Sequence, residues 1–405
     1  MAVNTNLTAD VIVKEGLALF ANETPFLRGV KRGYDKSYSV GGAQEGDTIR
    51  IKRAQRAVYR TGKTAQVGKF LEEYVSFSRS NQIGADIRFG SAELRQDIGT
   101  FSREILRPAI NTLASNLEAT ILKTAYQGTY NVVGTAGSAI ASWAPIGDAQ
   151  AKLDNFSCPQ DGRSLLINPV ARASFINGVN AQFNPVDTIR NQYISGRMGD
   201  LAGFSTAATV NVATHTVGAY GTTTLAVNDT VAEGASTITL NGSSASAPTA
   251  KKGDVFTIAS VYAINPLNKQ STGQLMQFVV TEDMTGSGNG FTSLKIAPAI
   301  YASTTDPRQN VTALPANTAV VTFTGTQSTA YKQNLAYHMD AFAFGTVDLP
   351  LYGNTDFEAR DVMDGVSMRI EKVVDGINDD FLYRIDILYG FAVVNPEFSC
   401  RVIGV

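Results

Sequence analysis

Along the chain, apolar and polar positions alternate with a period that switches between two and about 3.6 residues, and the switches divide it into elements. Residues 1–40 open on a short helix with apolar positions at Val11, Ile12, Leu17, Leu19 and Phe20. Thr24-Pro25 ends it, because the residue before a proline avoids the helical region, and an extended arm containing Gly and Lys follows. Residues 47–80 predict a long β-hairpin. Its outgoing strand sets Ile49 and Ile51 against Arg50 and Lys52, and its return strand sets Val75 and Phe77 against Ser76 and Ser78. A lone two-stranded hairpin is marginal in water, so one this long and this charged needs a surface to lie on. A third alternating run, Ala85, Ile87 and Phe89, follows directly.

The strongest helical pattern covers 91–127. Ser91 can cap it, Glu93 falls in its first turn, and one face repeats at Leu94, Ile98, Phe101, Ile105, Ala109, Leu113, Leu117 and Ile121. Unbroken, it would run for about nine turns and roughly 50 Å, long enough to act as a spine. Pro108 is expected to kink or split it, and Gly128 to stop it. Beyond it, SLLIN (164–168) predicts a buried strand, and Asn168-Pro169 opens a helix through Phe175.

From about 205 to 330 charge nearly disappears and Thr, Ser, Ala and Gly dominate. Short strands are predicted at Thr237–Leu240, Val255–Tyr262, Leu275–Val280, Leu294–Ile296 and Ala319–Phe323. Asn241-Gly242, Gly253-Asp254 and GSGNG (286–290) supply the turns between them. That spacing predicts a small barrel or sandwich inserted as its own domain. The last 70 residues return to charged sequence. Val366, Met368 and Ile370 alternate with Ser367, Arg369 and Glu371, Asp375-Gly376 turns the chain, and Tyr383, Ile385, Ile387 and Tyr389 alternate with Arg384, Asp386 and Leu388. This is expected to be a hairpin of a central mixed sheet.

Composition narrows the function. The 405 residues are 44% hydrophobic and 17% charged, with 34 Lys+Arg, 36 Asp+Glu, 2 Cys and 2 His. Disorder, a disulfide framework and a thiolate metal cage are excluded. No apolar run approaches the roughly 20 residues of a membrane span, and a soluble, intracellular, multi-domain chain is expected. Near-neutrality hides an asymmetry: residues 1–110 carry a net charge of about +5 and residues 338–405 about −7. The basic run Arg50, Lys52, Arg53, Arg56, Arg60, Lys63 and Lys69 lacks the interleaved aromatics of a base-stacking surface. The acidic end offers it a different partner, another copy of the same chain, while a solvated hairpin face is an equal reading.

Catalytic chemistry is missing from the pattern. His215 and His338 sit in no paired-ligand spacing, and Cys158 and Cys400 in no CxxC. Structural histidines and buried thiols are expected. GSGNG lacks the following helix and the Lys-Ser/Thr of a phosphate loop, no GxSxG occurs, and the adjacent carboxylates Glu72-Glu73 and Asp379-Asp380 point to opposite strand faces. No catalytic residue, cofactor or metal is expected, and the chain does not read as an enzyme.

Six co-linear segments resemble the coat-protein family of short-tailed, scaffold-assembled bacteriophages. They are GDTIRIKRAQRAVYRTG (46–62), IGADIRFGSAELRQDIGTFSREILRPAINTLASNLEATI (83–121), LAGFSTAATVNVATHTVG (201–218), KKGDVFTIASVYAINPLNKQSTGQLMQFVV (251–280), QNLAYHMDAFAFGTVDLPL (333–351) and YRIDILYGFAVVNPEFSCRV (383–402). The resemblance implies an α+β chain with the tailed-phage major capsid fold, shared with herpesviruses, and an inserted all-β domain. Its parts would be an N-terminal arm (1–40), an extended hairpin loop (41–82) and a peripheral domain with the spine helix (83–145, completed by part of 352–380). An axial domain (146–215), a β-barrel insertion (216–330) and the axial return (331–405) would follow.

The resemblance also implies self-assembly into an icosahedral shell of pentamers and hexamers around double-stranded DNA, through a scaffolded precursor that matures. Its partners would be further copies, a scaffolding protein, a portal protein and DNA held without sequence specificity, with no membrane. It would be assembled in the host cytoplasm and reside in the virion. Some relatives of the fold crosslink a hairpin lysine to an asparagine; Lys63 and Lys69 are available, but that reaction is not expected here. A cargo-enclosing nanocompartment shell and a non-shell virion binding or decoration protein are the alternatives.

A closed shell repeats its contacts among identical chains, so its binding sites are surfaces. The candidates are Arg50, Lys52, Arg53, Arg56 and Arg60 of the hairpin, facing Asp356, Glu358, Asp361 and Asp364 of a neighbouring copy, with each exposed pair contributing about 0–1 kcal/mol. Reversing Arg53 and Arg56 to Glu is expected to block assembly and leave the monomer folded.

Overall fold

The structure is a computed structural model that describes residues 9–32, 48–53, 63, 73–78, 81–90, 106–179, 200–221, 224–351, 358–375 and 380–404. In chain order its main elements begin with α1 (Ala9–Glu23), α2 (Pro25–Arg28), β1 (Thr48–Lys52), β2 (Tyr74–Ser78), β3 (Asn81–Gly90) and α3 (Arg107–Gly128). Next come α4 (Ala144–Asn155), β4 (Arg163–Ile167) and α5 (Pro169–Val179), then β5 (Leu225–Val227), β6 (Ala235–Asn241), β7 (Val255–Ile264), β8 (Ser271–Val280), β9 (Phe291–Ile300) and β10 (Val320–Phe323). The chain closes with β11 (Ala330–His338), β12 (Phe342–Val347), β13 (Glu358–Met363), β14 (Val366–Asp375), β15 (Asp380–Val393) and β16 (Ser399–Gly404).

Two compact units result, one of residues 1–51, 75–121 and 342–392, the other of 52–74, 122–341 and 393–405.

In the first unit, β15 is flanked by β14 on one edge and by β3 and β12 on the other, and β13 lies outside β14. The pairings β13–β14, β14–β15 and β15–β3 are antiparallel, so the hairpin 366–389 sits in an antiparallel ladder. Pairing on both sides of β14 and β15 is what those apolar runs needed. Ile12, Val13, Leu17 and Phe20 give α1 one buried face, joined in the core by Met368, Ile370 and Ile385. Phe26, Phe342 and Phe391 form a triangle of ring contacts at 5.7–6.1 Å. Buried Glu118 anchors the start of α2 by accepting the Phe26 N–H at 2.9 Å.

The polar row of β14 is also buried. Ser367, Arg369 and Glu371 are each under 9% exposed. Register explains this: Arg369 stands opposite Asp386, and Glu371 opposite Arg384. The Arg369 guanidinium meets Asp386 at 2.7 Å, lies 3.8 Å from Glu371, and donates to the Pro350 carbonyl at 2.8 Å. Arg384 reaches Asp386 at 3.2 Å and Asp86 of β3 at 3.9 Å. The ladder therefore carries charges of both signs, driest at its centre.

Helix α3 buries Ile110, Leu113, Ala114, Leu117, Ile121, Leu122, Ala125 and Tyr126 at spacings of one, three and four. The start expected at Ser91, with Leu94, Ile98, Phe101 and Ile105, lies outside the described residues, and Pro108 falls in the first turn of the helix described. The helix does end at Gly128, a position where a Cβ would come within 2.7 Å of Val393.

In the second unit, a mixed sheet orders Val132–Val133, β16, β11, β4, Phe204–Ala208 and Asp200–Leu201, with Thr214–Thr216 also on β11. Its apolar residues Leu165, Ile167, Ala336, Cys400 and Val402 pack with Ile146, Ala149 and Leu153 of α4 and Phe175 of α5. Strands β6, β9, β8, β7, β10 and β5 close, in that order, into a barrel. Its core includes Phe256, Phe278, Val280, Phe291, Leu294 and Val321, and continues through Tyr130, Val132, Phe156 and Ile403. No helix among the described residues is long and apolar enough to cross a membrane.

Asp386→Ala strands the Arg369 guanidinium in a nearly dry site and is expected to cost about 3–5 kcal/mol. Glu282→Ala, which removes the exposed Lys295–Glu282 pair, is expected to cost at most about 1 kcal/mol. Urea unfolding of the two variants measures the difference.

Candidate functional site

Among the described residues no three His, Cys, Asp or Glu side chains come together as a metal site. His215 and His338 are buried and polar-paired, the first to Asp254 and the second through its Nδ1, which accepts the Asp340 N–H at 3.1 Å. Both cysteines are free and buried. Burial pushes the Cys158 thiol up to about 11 and the Cys400 thiol up to about 12, which suppresses the nucleophilic thiolate. A broad open depression of ≈ 350 Å³ lies beside Gly134, Ser138, Ile140 and Ile403, and of its lining residues only Asp148 ionises. Such a set cannot pair a general acid with a base.

The most highly organised polar chemistry sits where the barrel meets the mixed sheet. Arg401, in the middle of β16, is 1% exposed. Its Nε and Nη2 donate to the Thr129 carbonyl at 2.8 and 2.6 Å, its Nη1 to the Gly253 carbonyl at 2.8 Å, and its Cζ lies over the Tyr126 ring, 5.6 Å from the centroid. Burial lowers its pKa to about 10, so it remains charged at neutral pH. Thr129 closes α3, and Gly253 is the turn before β7. Gly253 has φ +99°, and a Cβ on it would come within 3.0 Å of Tyr126, so both its conformation and its neighbour demand glycine.

Next to Gly253, the Asp254 carboxylate accepts from His215 Nε2 at 2.7 Å and from the Lys251 and Gly218 amides at 2.7 and 3.1 Å. The far side of the His215 ring lies 3.4 Å from the Tyr126 hydroxyl. On the sheet side, Thr129 and Ser399 join hydroxyls at 2.8 Å, and Gln277 of β8 binds both main-chain groups of Val132. The arrangement performs no reaction. It fixes the base of the barrel to the end of α3 and to β16.

The contact candidates fall into three groups. Arg50 and Lys52 are exposed on β1, Asp364 is exposed on the turn after β13, and Glu358 and Asp361 are half-buried on β13. Arg56, Arg60 and Asp356 lie outside the described residues. Arg53 is engaged within its own chain, with Nη2 on both Glu397 oxygens at 2.7 Å, Nη1 on Glu73 at 3.3 Å and Nε on Asn395 at 3.4 Å. Burial pulls its pKa down, but the attraction of Glu397 and Glu73 more than offsets this and raises it overall. Reversing Arg53 would therefore perturb the monomer itself, so its reversal does not isolate a contact between copies. Sequence reasoning missed Arg401 and Glu397. For Arg401 a signal existed, a lone cation inside an apolar strand, which must be buried with partners.

The family described as P22 coat protein, gene protein 5, has a model that matches residues 1–404. The major capsid protein of Acyrthosiphon pisum secondary endosymbiont phage 1 is 22% identical over 374 residues, covering 86% of this chain and 83% of its own. Among solved structures, a chain of Mycobacterium phage Che8 is 12% identical with a TM-score of 0.48, over 94% of this chain and 90% of that one. The CUS-3 coat protein I-domain is 28% identical with a TM-score of 0.20, over 25% of this chain and 96% of that domain.

Arg401→Met keeps the volume and orphans two carbonyls, each worth about 1–3 kcal/mol when buried unpaired. It is expected to lower the urea midpoint. The thiols give a separate check. Their folded pKa values lie above the ordinary 9.0, so their stabilising contribution is complete below pH 9 and is lost as pH rises toward 11–12. At pH 8 a thiol-reactive disulfide reagent is expected to label neither cysteine until denaturant is added.

Proposed function

The chain belongs to the P22 coat protein family, and on that premise, which makes it a phage major capsid protein, we propose how it builds its shell. Copies associate through surfaces into an icosahedral shell of pentamers and hexamers around double-stranded DNA. A scaffolding protein guides a precursor shell, a portal protein occupies one vertex, and assembly takes place in the host cytoplasm before the protein resides in the virion capsid. The observation that carries this reading is the family match over 1–404, all but the final residue. Proteins of this family are structural, and no catalytic role is proposed.

Within the shell, residues 41–82 act as the extended loop, 83–145 with part of 352–380 as the peripheral domain, 146–215 and 331–405 as the axial domain, and 216–330 as the insertion. Arg50 and Lys52, exposed on a strand whose Ile51 is buried, present their charges outward. The acids Glu358, Asp361 and Asp364, with Asp356, offer the complementary charge on a second copy. Each pair contributes little, but the contact repeats around the shell. A chain without strong net charge suits an interior that holds DNA loosely, since tight phosphate contact needs many released counterions.

The test is expression with and without a scaffolding protein, followed by a sucrose gradient and electron microscopy. Closed shells, or irregular shells made regular by scaffold, are expected. A monomer or dimer under every condition would overturn the reading. Arg50→Glu, at an exposed position of β1, is expected to leave the monomer's circular dichroism and melting unchanged and to reduce shells at least tenfold. Normal shells from that variant would remove the basic strand from the contact.

A further inference from the structure

The hairpin of β7 and β8 is fastened at its tip and at its base to the rest of the second unit. At the tip, Asn265 Nδ2 donates to the Asn155 carbonyl at 2.8 Å and to the Ser157 hydroxyl at 2.9 Å, where α4 ends. At the base, Gln277 binds Val132, and the Gly253 carbonyl accepts from Arg401. Between these points Lys152 of α4 meets Gln274 of β8, its Nζ donating to Oε1 at 3.2 Å. Lys152 is 5% exposed. An ammonium carries three donors, and among the described residues Gln274 is the single acceptor that Lys152 finds. The other buried cations there are better supplied. Arg163 donates to the Cys158 and Pro159 carbonyls and pairs with Asp154, Arg369 holds Asp386 and the Pro350 carbonyl, and Arg401 holds two carbonyls.

We propose that Lys152 is a release point built into the seam between α4 and the β7–β8 hairpin: its under-paired charge lets the tip side of the hairpin lift from α4 while the base stays clamped. This goes beyond the shell reading and does not depend on it. A lysine ammonium is strongly hydrated, so enclosing it with one neutral acceptor works against the closed seam. Burial holds the Lys152 ammonium below its ordinary pKa, and the nearby Cys400 thiol offsets only part of this. The way to water is short. Gly273 and Gln274 are exposed, and nothing lies within 4 Å of where a Cβ on Gly273 would stand. The bonds that resist lifting at the tip are neutral and only part-buried. Those at the base include the dry, charge-assisted bonds of Arg401, which are the stronger kind. Local opening follows the weaker side.

The experiment uses the full chain. Amide hydrogen exchange read by mass spectrometry reports opening segment by segment. Lys152→Met keeps an unbranched side chain and removes the charge. It is expected to slow exchange in 152–157 and 264–276 on the order of tenfold and to leave 253–258 and 399–404 unchanged. Gln274→Glu gives the amine a carboxylate in place of an amide. It is expected to slow the same segments in the unaltered chain and to have no such effect when combined with Lys152→Met, a dependence that a simple packing role would not show. Unchanged or faster exchange in Lys152→Met would overturn the proposal, as would equal slowing along the whole chain. A Gln274→Glu effect that is the same in both backgrounds would overturn it too.

Discussion

A guanidinium cannot be taken out of water unless its N–H groups find acceptors, and Arg401 imposes that condition on much of the second unit. Its donors end on the Thr129 and Gly253 carbonyls. To supply them, α3 must stop at a defined residue and the turn before β7 must take a conformation open to glycine. The Tyr126 ring then lies under the cation with its hydroxyl beside His215, and His215 in turn meets Asp254. One strand position thus dictates the end of a helix, a turn and the partner of a histidine. The same short stretch of chain holds the hairpin root through Glu397 and the helix end through Ser399.

The first unit follows the same logic with a different charge arrangement. Arg360 pairs in register with Arg369, and Glu358 with Glu371, and like charges directly opposite each other are unfavourable. The next strand resolves the conflict, because Asp386 faces Arg369 and Arg384 faces Glu371. A register slip of one residue on β15 would put isoleucine or tyrosine against those charges. Such a ladder penalises wrong pairings heavily and adds modestly to stability in the right one.

Much of the secondary structure was legible because it rests on period alone. The barrel strands, the alternation of 83–88 and the buried face of α3 need only neighbours in sequence to declare themselves. What sequence could not show depends on who sits across a strand or a turn. Arg53 stands among Arg50, Lys52 and Arg56 in a run that reads as one basic stripe, yet its partner lies 344 residues away. Ser367, Arg369 and Glu371 have the pattern of a solvated face and are buried, because the charges that neutralise them come from β15. Gly128 was legible as a stop, but the close approach of Val393 that leaves no room for a Cβ there was not. Among the contact candidates, only exposure could separate Arg50 from Arg53.

That separation bears on how a single chain can fold alone and still assemble. Charges that must be satisfied for folding are paired inside, in dry places, where one lost partner is expensive. Charges left for a neighbour must be exposed, where each pair is weak and assembly stays reversible enough to correct errors. Arg53 and Arg50 are three residues apart and fall on opposite sides of that division. The strong bonds of the first hold the chain to itself, whereas the exposed second has only weak pairings open to it. In a closed shell, weak contacts gain their strength from repetition among copies.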